Sequence, residues 1–282
     1  MRISKLNFYP LKSGRGIALD TAEIGLSGIP GDRVMMLSDP SGMFITQREL
    51  PMLAQVIAIP AEGGVSLAIE GRGEIFVPTP AGDRRMDVAV WKSIVSAAVA
   101  EDAANAALSQ WFGREVRLVF FDEGAKRTAS AEWAGPETPV TFSDGYQVLV
   151  TTTGSLAALN ADMAAKGEGA IGMERFRPNI VLDHDAPWAE DGWDGIEIGG
   201  IRFDFVKPCA RCIMTTQDQT TGSREHENPM PAMGRIRMSA DRRVPGPLFG
   251  WNAVPRATGT IRLGDEAKVT GSRDSWAIKR RG

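Results

Sequence analysis

Between residues 33 and 77, short apolar runs alternate with turn signals. "RVMMLSD", "GMFIT", "QVIAI", "VSLAIE" and "EIFV" are of strand length, and "DPSG" at 39–42, "EGG" at 62–64 and "EGRG" at 70–73 punctuate them. β-type runs joined by loops this short pair as hairpins, so the pattern predicts a small antiparallel barrel or sandwich. One stretch breaks the alternation. In "EDAANAALSQWFG", Ala104, Ala107, Leu108, Trp111 and Phe112 recur at helical spacing, acidic residues occupy the first turn, and Gly113 follows as a cap. "REVRLVFF" then returns to strand.

Residues 122–139 are polar and turn-rich with no sustained period, and read as a linker or crossing loop. A second block opens with the strand "YQVLVTT" and passes into "GSLAALNADMAAKG". There Leu156, Leu159 and Met163 share one helix face and Gly167 marks the stop. "RPNIVLD", "GIEIGG" and "IRFDFVK" are strands, the last two a hairpin turned at Gly199 and Gly200. A cysteine-bearing strand follows, then an irregular Pro/Met-rich stretch at 228–247, then two closing strands around "GTIRLGDEAKVT". The expected fold class is mainly β with some α. It consists of a β-barrel-like domain over 1–122 and a second β-barrel domain with a few helices over 123–282.

The chain has 282 residues, enough for one large or two modest domains, and 31 Gly and 17 Pro favour turns over long helices. A net charge of -3 gives no global reason to expect nucleic acid as a partner. No run approaches the roughly 18 apolar residues of a membrane span, and "MRISKLNFYP" lacks the apolar block of a secretory signal. The expectation is a soluble, cytoplasmic protein without a membrane partner. Two cysteines exclude a disulfide framework, so reactivity is the better reason for having them.

Both lie in "KPCARCIMTTQDQTTG", residues 207–222. A structural zinc site wants four ligands, and only His184 and His226 could join the CxxC pair. A thioredoxin-like redox pair needs a helix N-terminus, whereas Ile213, Met214, Thr215 and Thr216 after Cys212 are a β-type run. Plain core packing stays open for either thiol. Against packing, Lys207 and Arg211 would favour a thiolate if they point toward it.

The segment closely resembles the signature of MOSC proteins (molybdenum cofactor sulfurase C-terminal domain). "YPLKSGRG" at 9–16, "GDRVMML" at 31–37, "TFSDGYQVLVTTTGSLAALN" at 141–160 and "FRPNIVLD" at 176–183 extend the likeness in order. These match proteins in which an N-terminal MOSC β-barrel precedes the MOSC domain, a group that includes the mitochondrial amidoxime reducing component and its bacterial relatives. The resemblance implies a molybdenum cofactor (molybdopterin) with Cys212, not Cys209, as the protein's metal ligand. A soft thiolate suits a molybdenum centre whose other sulfurs come from the pterin. Cys209 is left to packing or support.

By the same resemblance, the cofactor's anionic phosphate falls to Lys12, Ser13, Arg33, Arg177 and Asn179, with Gly145 offering backbone donors and Arg211 and Thr215 lying beside the ligand. Asp218 is placed with Cys212 in the catalytic set. For Thr215 and Thr216, strand propensity is an equal explanation. Asp144 in "FSDGY" is expected to make a turn before Gly145. Gly14, Gly145 with Tyr146, and Ala210 depart from hydroxyl or thiol side chains in relatives, which thins the set of groups able to bond the cofactor.

The function implied is reduction of N-hydroxylated or N-oxygenated compounds, hydroxylamines included. No cysteine follows Cys212, so electrons would come from a separate donor protein of ferredoxin or flavin type. A carrier of the cofactor, or a persulfide sulfur-transfer protein using Cys212 or Cys209, remains an alternative.

Overall fold

The computed structural model describes residues 1–279. Its first strand, Arg2–Phe8, pairs antiparallel with Ile180–Asp183 on one side and Ile17–Leu19 on the other. These belong to a sheet of eight strands in the order Ala267–Ser272, Trp193–Ile198, Ile201–Ala210, Leu248–Pro255, Val148–Thr152, Ile180–Asp183, Arg2–Phe8 and Ile17–Leu19. The pairing of Val148–Thr152 with Ile180–Asp183 is parallel, and the helix Thr153–Ala165 supplies the crossover that a parallel pair requires. A ribbon of Thr21–Ile24 with Gly259–Arg262 adds a second link between the chain's two ends. Alternate residues of these strands, among them Leu6, Val150, Phe203, Phe205 and Trp251, fill one core.

The predicted N-terminal strands fold into two smaller sheets. One contains Met35–Ser38, Arg117–Phe120, Ser93–Val99 and Arg85–Val90, and the other Ile57–Ala61, Gly64–Ile69 and Gly73–Pro78. The helix Asp102–Phe112 lays Leu108, Trp111 and Phe112 on the core beneath them, each burial stabilising by roughly 1.5–3 kcal/mol. Gly113 ends the helix at φ 65°, a left-handed cap that favours glycine. A division between 122 and 123 therefore parts the chain but not the sheets. The strands Arg2–Phe8 and Ile17–Leu19 run in the large sheet and Thr21–Ile24 in its ribbon before the chain enters the N-terminal strands' own sheets.

The hairpin ahead of the cysteines forms as expected, with Gly199 and Gly200 at φ 56° and 79°, values a two-residue I′ turn demands. Four local expectations need correction. "GMFIT" makes only isolated bridges, because the Asp39 carboxylate caps the N–H groups of Ser41 and Met43 and bends the chain away from a ladder. The crossing segment contains a short helix, Ala131–Ala134. Residues 213–216 are a 3₁₀ turn, not a strand. Within 228–247, a helix at Met230–Ile236 buries Ala232 and Met233 against Leu159 and Phe249.

Among the described residues, no helix is long and apolar enough to cross a membrane.

Candidate functional site

The two sheet systems meet at the loop following Arg2–Phe8. Lys12 N–H bonds to Met35 O and Phe142 N–H to Arg33 O, so residues 9–16, 31–35 and 141–144 are laced together by backbone. Thr141 Oγ1 donates to Asp32 O at 2.9 Å and tightens the seam. Six non-glycine residues in the described chain have positive φ, and four of them, Ser13 (66°), Arg33 (48°), Trp91 (58°) and Arg177 (54°), stand in this one region. Such backbone is strained by about 1–3 kcal/mol per residue and persists where surrounding contacts enforce it.

Tyr9 organises the first half of the site. Its ring centroid lies 4.2 Å from the Arg33 guanidinium carbon and 4.3 Å from that of Arg177, and its hydroxyl donates to Pro178 O. Burial raises the Tyr9 hydroxyl to about 12 against the pull of both arginines, so it stays protonated at neutral pH. Arg33 Nη1 donates to Asp32 Oδ2 at 2.5 Å and to Asn179 Oδ1 at 3.1 Å, while Nη2 reaches Arg177 O. Arg177 Nη1 donates to Gly14 O and Gln219 Oε1 at 2.6 and 2.9 Å. Burial lowers Arg177 to about 10, still a cation at neutral pH.

Lys12 begins the second half. Its Nζ is buried against Phe142 O at 2.8 Å and Asp144 Oδ1 at 2.5 Å. Burial lowers Lys12, with Asp144 opposing. For Asp144, desolvation acts upward, but Lys12 and the N–H of Trp91 outweigh it and hold the carboxyl well below the usual range. Trp91 Nε1 donates to Asp144 at 3.2 Å, and the Trp91 ring centroid lies 4.8 Å from the guanidinium carbon of Arg48. Arg48 Nη2 in turn points at Cys212 Sγ, 3.4 Å away.

A reciprocal amide pair joins the halves. Gln47 donates to Gln219 Oε1 at 3.0 Å and Gln219 to Gln47 Oε1 at 3.1 Å, and Gln47 also holds Ser13 O. Lys12, Ser13, Arg33, Arg177 and Asn179 are thus brought into one cluster, with Cys212 joined to it through Arg48. Gly145 follows Asp144 directly, and a side chain built there would meet nothing within 4 Å.

Several expected roles look different in place. Arg211 donates to Cys209 Sγ at 2.8 Å and to Phe176 O, not to Cys212, and Lys207 lies over the Trp133 ring. The cation on Cys212 is Arg48, a residue that no motif or spacing singles out. Thr215 Oγ1 bonds the Cys212 carbonyl and Thr216 Oγ1 that of Ile213, so both hydroxyls serve the 3₁₀ turn. Asp218 Oδ1 accepts the N–H groups of Thr220 and Thr221, and Oδ2 sits 3.7 Å from Arg175. That is a turn-forming carboxylate. Asn179 accepts from Arg33 and Leu149 N–H and donates to Asn7 O and Asp32, which occupies its whole amide and makes it a support for Arg33. Asp144, expected in a turn, is instead the ion-pair partner of Lys12. His184 bonds locally to Ala186 N–H and His226 is exposed.

Among the described residues, four buried guanidinium nitrogens have no protein acceptor: Arg15 Nε, Arg175 Nη1 and Arg211 Nε, and Arg273 Nε, whose guanidinium lies over the Trp251 ring. Arg15 lines an open cleft with Tyr9, Arg177 and Gln219. Unpaired buried donors on cations match an anionic ligand carrying several acceptor oxygens. Two family models cover most of the chain: the MOSC N-terminal beta barrel domain matches residues 1–115 and the MOSC domain residues 137–268. The chain belongs to the MOSC family. Among MOSC relatives, mitochondrial amidoxime-reducing component 1 of Homo sapiens is 30% identical over 95% of this chain and 83% of its own length. Mitochondrial amidoxime reducing component 2 of Bos taurus is 29% identical over 93% of this chain and 81% of its own. The Danio rerio component 1 is 29% identical over 95% and 85%.

Proposed function

We infer that this MOSC protein is a reductase of N-hydroxylated compounds that works with a molybdenum cofactor and takes electrons from a separate donor protein. The observation that carries the inference is the contact of Arg48 with the half-buried thiol of Cys212 at the edge of a cationic cluster spanning both sheet systems, whereas the equally half-buried Cys209 is met by Arg211. No group of three or more His, Cys, Asp or Glu able to hold a metal exists among the described residues. A metal at Cys212 would draw its other ligands from a cofactor, which suits a pterin dithiolene. Lys12, Arg33 and Arg177 would hold the phosphate, with Ser13 beside them, and Arg15, which lines the cleft next to Arg177, would add a further cation. The names of the relatives support the substrate class.

When bound, the cofactor would supply the two-electron redox chemistry that reduction of an N–O bond requires. The chain's own residues set the conditions around it. Asp144 stays ionised at neutral pH, so it balances Lys12 and Arg48 and does not serve as a proton donor. Tyr9 keeps its proton and holds Pro178 O, fixing the backbone from which Arg177 projects. The Gln47–Gln219 pair keeps Arg177 aimed while leaving the arginine charged. The test is reduction of an N-hydroxylated base by molybdenum-loaded protein with an artificial electron donor. Turnover that disappears in Cys212→Ala supports the reductase; a loaded protein that never turns over is a carrier.

A further inference from the structure

The turn between strands Arg85–Val90 and Ser93–Val99 has two central residues, Trp91 and Lys92, and Val90 faces Ser93 across it. Only Trp91 has positive φ, 58°, the pattern of a type II′ turn, whose first central position prefers glycine. A bulky indole is strained there. It is also 46% exposed, so core burial does not account for it. What the ring does make is a specific set of contacts. Its face carries the Arg48 guanidinium at 4.8 Å, its Nε1 donates to Asp144 at 3.2 Å, and the ring packs at a tilt on Phe44, 5.2 Å between centroids. Through Arg48 it touches the thiol of Cys212, and through Asp144 the amine of Lys12.

We propose that Trp91 is a positioning residue of the site, kept in a strained turn because its ring fixes Arg48 against the Cys212 sulfur. A guanidinium stacked on an aromatic face loses freedom it would otherwise have on a half-exposed side chain. Without the ring, the Arg48 guanidinium is left with the thiol as its one hydrogen-bonding side chain among the described residues, and the positive charge beside Cys212 becomes diffuse. Glycine at 91 would relax the backbone and release the charge. The strain and the function thus sit on the same residue.

The inference draws its meaning from the proposed role of Cys212, but its test does not depend on cofactor or turnover. In metal-free full-length protein carrying Cys209→Ser, Cys212 is alkylated with iodoacetate and with iodoacetamide at one pH. Thiolate fraction and access enter both rates, so their ratio reports local positive charge on the anionic reagent. Arg48→Ala sets the ratio of a site without that charge, expected about threefold lower than the parent by a screened Coulomb argument. Trp91→Gly is expected to fall to the Arg48→Ala ratio, and Trp91→Phe, which keeps a ring and loses the N–H, to stay near the parent. If Trp91→Gly does not fold, Trp91→Leu takes its place. A ringless variant that keeps the parental ratio, or a Phe variant that falls as far as the ringless one, overturns the proposal. Absence of turnover in wild-type protein would defeat the reductase assignment and leave this comparison standing.

Discussion

Asn179 and Asp218 show how a residue can sit in a functional cluster and still be doing structural work. Replacing Asn179 by Ala leaves Leu149 N–H, Asn7 C=O and an Arg33 N–H without partners in a buried setting. At about 1–3 kcal/mol for a stranded buried group, metal-free Asn179→Ala should lose roughly 2–4 kcal/mol in urea unfolding. A residue whose only duty is ligand binding would show no such loss. Asp218→Asn keeps an acceptor oxygen for Thr220 and Thr221, so turnover should stay within about threefold, whereas a general acid or base loses about a hundredfold or more. Cys212, Lys12, Arg33 and Arg177 are legible in the sequence because each lies in a short segment with its own pattern. Arg48, Trp91 and Gln47 are not, since what distinguishes them is a contact across 164 residues, as for Arg48 and Cys212, or a strained φ that composition does not encode.

At the scale of elements, the start of helix Thr153–Ala165 holds a test of electrostatics. Glu190 is buried there and accepts hydrogen bonds from the hydroxyls of Ser155 and Thr152. Burial raises its carboxyl above the ordinary value, with the hydroxyls opposing. The folded state therefore binds the proton more tightly than the unfolded chain, and stability falls as pH rises from the usual glutamate value through the raised one. In Glu190→Gln that dependence should vanish; equal slopes of unfolding free energy against pH for both proteins would contradict it. Gly113→Ala places a methyl in a left-handed cap and should lower stability by about 1 kcal/mol in the same assay. Long periodic elements such as Asp102–Phe112 are readable from the spacing of their apolar residues alone. Helix Met230–Ile236 is not, because Pro231 and Gly234 within it mask a short period that tertiary packing of Ala232 and Met233 enforces. The β-type run after Cys212 misleads for a related reason: Thr215 and Thr216 turn back on the carbonyls three residues earlier and close a 3₁₀ turn.

Across the whole molecule, the N-terminal strand is an integral part of the C-terminal sheet, and the site forms where the chain leaves that sheet for the barrel. Residues 123–282 made alone would expose Ile180–Asp183 as an unpaired inner edge and lack Leu6 and Phe8 from the core. That fragment should give no cooperative unfolding transition, and a well-folded monomer would contradict the shared-sheet account. Resemblance of short segments locates both halves of the site, but the interlock stays hidden in the sequence, because strand order depends on pairings far apart in the chain. The proposed function converges on one sulfur, that of Cys212. The most direct measurement is molybdenum per chain, by elemental analysis of protein produced in a host that makes the cofactor, for wild type, Cys212→Ala and Cys209→Ala. Near-stoichiometric metal in wild type and Cys209→Ala with none in Cys212→Ala is the predicted result; metal retained in Cys212→Ala, or absent from all three, would contradict the account.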